Sequence, residues 1–230
     1  MALTVAATGS GTITYQWFSN TTNSTVGAVA VGTGSTFTPP TSTPGTRFYY
    51  AVASGTCGTV TSDIVPVEVT PETLITTQPV GATYCEDATP VSLSIAATGT
   101  GTITYQWFRN TTNSTTGAVS VGTGPTFAPP TSTPGTLYYY AVASSATCGS
   151  ATSTIVPVVV NPETVFTTQP AGATYCEDAT PVALTVAATG SGTIAYQWFS
   201  NTTNSTVGAV AVGTTSTFTP PTSSTGTLFY

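Results

Sequence analysis

The chain has 230 residues, a net charge of −6 and only 4 % charged residues: two arginines (Arg47 and Arg109), eight carboxylates, no lysine and no histidine. A surface so poor in cations cannot neutralise phosphates, which excludes nucleic-acid binding, and it lacks the polybasic patch that would hold an anionic membrane. No apolar run reaches the ~20 residues of a membrane-spanning helix, so membrane insertion is excluded too.

One motif, Tyr-Gln-Trp-Phe, recurs at residues 15–18, 105–108 and 196–199. It holds the only tryptophans, Trp17, Trp107 and Trp198, spaced 90 (107 − 17) and 91 (198 − 107) residues apart. A fixed period of this size means tandem domains. We place them at 1–70, 71–162 and 163–230. The opening Met1-Ala2-Leu3-Thr4-Val5 matches Val182-Ala183-Leu184-Thr185-Val186, the middle of a repeat. The expectation is a window from a longer array or a truncated reading frame, with the first repeat lacking its first strand and the third its last.

The second repeat is the complete one. Its first predicted strand is Leu74–Pro79, ended by a proline that suits an edge. A short piece, Gly81–Cys85, leads to the turn Glu86–Pro90. The next strand, Val91–Ala97, has Val91, Leu93 and Ile95 on one face and serines on the other. Gly99-Thr100-Gly101 turns the chain into Thr102–Phe108. There the alternation of Ile103, Tyr105 and Trp107 with Thr104 and Gln106 marks a half-buried strand. Threonine and serine fill the polar half of these strands, as their β-propensity allows.

A polar loop, Arg109–Thr115, follows. After it come short strands at Ala118–Val121 and Thr126–Ala128, and a breaker cluster at Pro129–Gly135. The last two strands are Leu137–Ala143 and Ala151–Val160, with Pro157 placing the latter at an edge or a bulge. Asn161-Pro162-Glu163 links to the third repeat. No segment has a 3.6-residue apolar period, so the fold class is all-β: tandem sandwiches of about seven strands each, plugged by a tryptophan.

This order resembles the immunoglobulin-like domain. Val91-Ser92-Leu93-Ser94-Ile95 resembles that family's strand B, with Ile95 where the first core cysteine usually sits. Tyr139-Tyr140-Ala141-Val142-Ala143-Ser144 resembles strand F. The resemblance implies that Tyr139 is the tyrosine-corner residue and that Ala141 replaces the second core cysteine. Ile95, Trp107 and Ala141 would then form a dry cluster in place of the inter-sheet disulfide. More narrowly, Tyr84-Cys85-Glu86 and Thr147-Cys148-Gly149 resemble positions in repeats of large secreted surface proteins and adhesins of Bacteroidota-type bacteria. That resemblance implies an extracellular, cell-surface location.

The four cysteines fall at two equivalent places. Cys85 and Cys176 precede strand B, and Cys57 and Cys148 lie in the turn after strand F. Such spacing argues for disulfides, because zinc would need four clustered ligands and a nucleophile would need a base. Three states stay open: pairing within a repeat, as Cys85–Cys148; pairing between repeats or chains; and free thiols. In an immunoglobulin-like topology the two turns lie at opposite ends of the sandwich, which favours a bond between neighbouring repeats.

Asn20, Asn23, Asn110, Asn113, Asn201 and Asn204 each begin an Asn-x-Ser/Thr triplet and are candidate N-glycosylation acceptors. A threonine-rich loop also makes such triplets by composition alone. Glu86-Asp87, with Glu163, could offer oxygens to calcium, against the simpler reading of a solvated acidic turn; no metal or cofactor is expected. Adjacent carboxylates on a turn do not face each other across a substrate, so an enzyme is not expected. Phe108 and Tyr140, with Phe18, Tyr50 and Phe199, should point away from the core, as a covered face or as a stripe for lateral association or glycan stacking.

From Ala96 to Gly124 the second repeat differs from the first at four places only: Thr100/Ser10, Arg109/Ser19, Thr116/Val26 and Ser120/Ala30. Units this alike suit a mechanical task shared equally. The expectation is a non-catalytic structural repeat of a bacterial fibre or adhesin shaft, its partners being further copies of the repeat. The alternative is a carbohydrate- or protein-binding module of a secreted protein.

Overall fold

The computed structural model of the protein describes residues 1–230 and is all-β, without a helix. The first repeat contributes β1 (Leu3–Thr4), β2 (Thr14–Asn20), β3 (Val29–Thr33), β4 (Thr36–Phe37), β5 (Gly45–Gly55), β6 (Gly58–Thr61) and β7 (Val65–Val69). The second contributes β8 (Leu74–Thr77), β9 (Ala82–Cys85), β10 (Leu93–Ser94), β11 (Ala96–Thr98), β12 (Ile103–Asn110), β13 (Val119–Thr123), β14 (Thr126–Phe127), β15 (Gly135–Ser145), β16 (Ser150–Thr152) and β17 (Val156–Asn161). The third contributes β18 (Val165–Thr168), β19 (Leu184–Thr185), β20 (Ala187–Thr189), β21 (Trp198–Ser200), β22 (Val210–Gly213) and β23 (Thr217–Phe218).

Two compact units are present. One comprises residues 1–77, 96–105 and 142–153; the other comprises 78–95, 106–141 and 154–230. In the first unit β3-β2-β5-β6 form a sheet with β7 also on β5, while β1 pairs β4 and β8 pairs β11. In the second unit β9 lies parallel to β17, β10 pairs β14, and β18 pairs β20.

The complete repeat has the layers of an immunoglobulin-like sandwich. Its larger sheet runs β13-β12-β15-β17-β9, and β8/β11 and β10/β14 are separate two-stranded sheets. The inward faces supply the core. Trp107, Ala141 and Ala143 are fully buried, with Tyr139, Ile95, Leu93, Val158 and Val160 beside them in the buried set. Trp17 and Trp198 are buried in their own repeats. Burying a tryptophan of this kind contributes roughly 3–5 kcal/mol, judged by the usual cost of truncating one.

Three expectations need correction. Val91 does not join Leu93 and Ile95 in the core but is 75 % exposed. The Tyr84 hydroxyl donates to the Val91 carbonyl (3.2 Å) and accepts from its N–H (3.0 Å), which ties that backbone to the surface. Pro157 is not on an edge strand, because β17 lies between β15 and β9. The parallel pairing begins one residue later, at Val158↔Ala82, and Gly81 abuts Pro157 so closely that a side chain would not fit. The missing proline N–H is therefore not needed for that ladder. Tyr139, finally, does not make a tyrosine-corner hydrogen bond: its buried hydroxyl has no partner.

Candidate functional site: bulge, loop and repeat ends

The recurring Tyr-Gln-Trp-Phe motif builds the same device in each repeat. Opposite Trp107 the register slips, so that Trp107 faces Gly122 while Phe108 faces Ser120. Val121 is the extra residue of a β-bulge. The bulge frees the Gly122 carbonyl, and the Gln106 amide donates to it at 2.6 Å and to the Trp107 carbonyl at 3.3 Å. The Trp107 indole N–H donates to the Gly124 carbonyl at 3.0 Å. The slip recurs at Trp17/Phe18 and Trp198/Phe199, with Gln16 and Gln197 bonded alike.

Below the bulge, Trp107 stacks on Phe127 (6.0 Å between centroids), and Phe127 packs on Tyr139 (5.6 Å). Burial pushes the Tyr139 phenol above its ordinary value, with the nearby Arg109 guanidinium pulling the other way.

The loop after β12 is organised by its first asparagine. Asn110 donates from Nδ2 to the carbonyls of Ser114 (2.7 Å) and Thr116 (2.9 Å), and its Oδ1 accepts from the N–H of Thr111 (2.8 Å). Asn20 and Asn201 make the same Nδ2 bonds. The nitrogen that would carry a glycan is thus engaged at Asn20, Asn110 and Asn201, whereas Asn23, Asn113 and Asn204 are exposed.

On the outer face Phe108 stacks nearly parallel on Tyr140, 5.1 Å apart, and Phe18 stacks identically on Tyr50. Tyr140 is buried and its hydroxyl reaches the Thr115 carbonyl at 3.5 Å. These aromatics cover one another and the loop, rather than forming an open stripe. Phe199 is the exception, at 48 % exposure.

All four cysteines are free thiols. The reason is spatial. Cys85 lies opposite Asn161, near the Gly135 end of β15, while Cys148 follows its Ser145 end. An eleven-residue strand, roughly 35 Å long, separates those ends, against the ~7 Å that a disulfide tolerates between Cα atoms. A Cys85–Cys148 bond within one repeat, one of the three states left open by the sequence, is therefore not formed.

Cys148 faces a linker and Cys57 a neighbouring turn, while Cys85 and Cys176 are exposed. The Cys148 thiol lies 2.5 Å from the Thr70 hydroxyl, and Thr73 donates to the Gly149 carbonyl at 3.2 Å. Cys57 contacts Ser10 at 3.5 Å.

The Glu86-Asp87 turn closes with the Ala88 N–H on the Cys85 carbonyl (3.2 Å), and Asp87 adopts φ 56°, a left-handed conformation that aspartate tolerates. The Glu163 N–H points at Glu86 Oε2 (3.5 Å), but no group of three or more His, Cys, Asp or Glu side chains gathers to hold a metal.

Two grooves lie beside the aromatic contacts of the first and third repeats. One, of about 470 Å³, is bounded in the first repeat by Phe37, Tyr49, Val67 and Val69; the other, of about 680 Å³, is bounded in the third by Phe218, Leu228 and Tyr230.

The chain is thus a tandem immunoglobulin-like array whose repeats share one tryptophan-centred core. It belongs to the family described as a domain of unknown function, DUF8696, which it matches over residues 1–71 and 76–162. No curated protein matches it. Among solved structures it is similar to extracellular domains 3–5 of Drosophila OTK (18 % identity, 86 % of this chain and 72 % of that one, TM-score 0.34). It is also similar to an I-band fragment of titin (14 %, 90 % and 73 %, 0.44) and to fibronectin(III)-like modules of Clostridium thermocellum CbhA (12 %, 70 % and 85 %, 0.31). At such scores the fold rests on the chain's own strand pairing.

Proposed function

We propose that the chain is a run of three serial immunoglobulin-like domains, 1–70, 71–162 and 163–230, from the shaft of an extracellular surface fibre or adhesin of a Bacteroidota-type bacterium. It acts as a non-catalytic structural element and forms filaments with further copies of the repeat. The observation that supports this most is the recurrence of one contact set. The glutamine-stitched bulge recurs in all three repeats, as does the asparagine-organised loop. A recognition surface would need only one unit to keep such detail, whereas a shaft sums the same stability over every unit.

Electron microscopy of native material tests the reading. Filaments with a spacing of roughly 40 Å, a strand length plus a linker, are expected. Dispersed particles, together with glycan or protein binding by a single repeat, would replace the shaft with a binding module.

A further inference from the structure

The two linkers of the chain enter the repeat that follows them in the same way. Thr73 and Thr164 are counterparts at an offset of 91 (164 − 73), and so are Thr70 and Asn161 (161 − 70). A side chain built on Gly99 would meet Thr73 Oγ1 at 3.1 Å, and one built on Gly190 would meet Thr164 Oγ1 at 2.6 Å. A cysteine seen at one linker can therefore be placed at the other.

Each linker displays one of two cysteines. After the second repeat, the parallel ladder of β9 on β17 sets Cys85 opposite Asn161, and the Glu86 N–H donates to the Asn161 carbonyl at 2.8 Å. That cysteine belongs to the repeat before the linker. After the first repeat, the Cys148 thiol lies against the Thr70 hydroxyl at 2.5 Å, and the Thr73 hydroxyl donates to the Gly149 carbonyl at 3.2 Å. That cysteine belongs to the repeat after the linker.

We propose that consecutive repeats are joined by a disulfide between the cysteine at the position of Cys85 in one repeat and the cysteine at the position of Cys148 in the next, a covalent staple across the linker.

Both cysteines converge on one linker position. Partners across a ladder direct their side chains to the same face of the sheet, so Cys85 and Asn161 point alike, ~4.8 Å apart. Asn161 holds the place of Thr70, whose side chain reaches the Cys148 sulfur. The two thiols thus flank one side chain, which suits the ~7 Å over which Cα atoms can be bridged. Other pairings lack this convergence. Cys85 and Cys148 of one repeat sit at opposite ends of β15, and Cys85 and Cys176 occupy equivalent turns of successive repeats, so they do not share a linker.

The bond forms by two thiol–disulfide exchanges with a small-molecule disulfide as oxidant. The thiolate of one cysteine attacks it and displaces one small thiol, leaving a mixed disulfide. The thiolate of the other cysteine attacks the protein sulfur of that mixed disulfide and displaces the second small thiol. Two cysteine thiols are oxidised to one disulfide, the small-molecule disulfide is reduced to two thiols, and these take up the two protons.

The test lengthens the full chain so that both cysteines of one junction are present. Tyr230 is the counterpart of Tyr139 (230 − 139 = 91), so a copy of residues 140–162 is appended after it. A Cys148→Ser background makes the appended cysteine distinct by sequence. After equilibration in a glutathione redox buffer, non-reducing peptide mapping should join Cys85 to the appended cysteine at least about ten-fold over any other pair, because the junction raises their local concentration. Random pairing, or a Cys85 thiol that stays free, would overturn the proposal. Native material gives a second readout that does not depend on folding of the lengthened chain. Its cysteines should be closed to a maleimide until a reductant is added, and open thiols before reduction overturn the staple.

The inference rests on the serial-array reading, yet the two fail differently. Random pairing or open thiols beside regular native filaments remove only the staple. A Cys85 bond in the lengthened chain, without filaments in native material, keeps the junction and removes the shaft.

Discussion

The ring of Phe127 occupies the space that a side chain on Gly122 would need: a methyl group built there comes 2.9 Å from the ring edge. Gly32 meets Phe37 at 2.7 Å and Gly213 meets Phe218 at 3.1 Å in the same way. The glycine is thus part of the tryptophan core, because it lets the phenylalanine slide beneath the bulge. Gly122→Ala should destabilise the second repeat by about 1–3 kcal/mol, the usual cost of overpacking. Faster hydrogen exchange along β13, with the first and third repeats unchanged, is the expected readout.

Removing the bulge's stitch is the complementary experiment. Gln106→Ala leaves the Gly122 carbonyl without its side-chain donor, a loss of about 1–2 kcal/mol. Local exchange in β12 and β13 should accelerate, and Gln106→Glu, which cannot donate from that position, should not restore protection.

Tyr139 yields a prediction of opposite sign. Its hydroxyl is buried without a partner, so Tyr139→Phe should stabilise the second repeat by about 1–3 kcal/mol. A residue making a corner hydrogen bond would give a loss instead, which makes the unfolding midpoint decisive.

The same residue sets an alkaline limit. Burial raises its pKa above 10.0, the ordinary value. The folded state then holds the proton more tightly than the unfolded chain does. Its contribution is fully present below pH about 10 and is lost as pH rises through the higher folded value. Wild-type stability should fall on that alkaline limb, and the Tyr139→Phe variant should lose part of the slope in a pH series of urea unfolding.

The two asparagines of each loop should separate cleanly. Asn110→Ala removes bonds at 2.7, 2.8 and 2.9 Å and should cost about 1–2 kcal/mol. Asn113→Ala, at an exposed position, should stay within about 0.5 kcal/mol. Any glycan found by mass mapping of native material should sit on Asn23, Asn113 or Asn204, where no loop bond has to break.

The sequence by itself determined the all-β class, the repeat, the tryptophan strands and their burial, because period-2 alternation and turn residues are local signals. It marked Ile95, Trp107, Tyr139 and Ala141, all of which are buried. Tertiary structure decided the rest. Val91 continues the apolar alternation, yet the Tyr84 hydroxyl holds it at the surface. Pro157 reads as an edge residue, yet a parallel strand beginning one residue later covers β17. The state of the cysteines depended on which turns share an end of the sandwich. Each is a pairing between segments far apart in the chain, and the alternation within one strand carries no information about its neighbour.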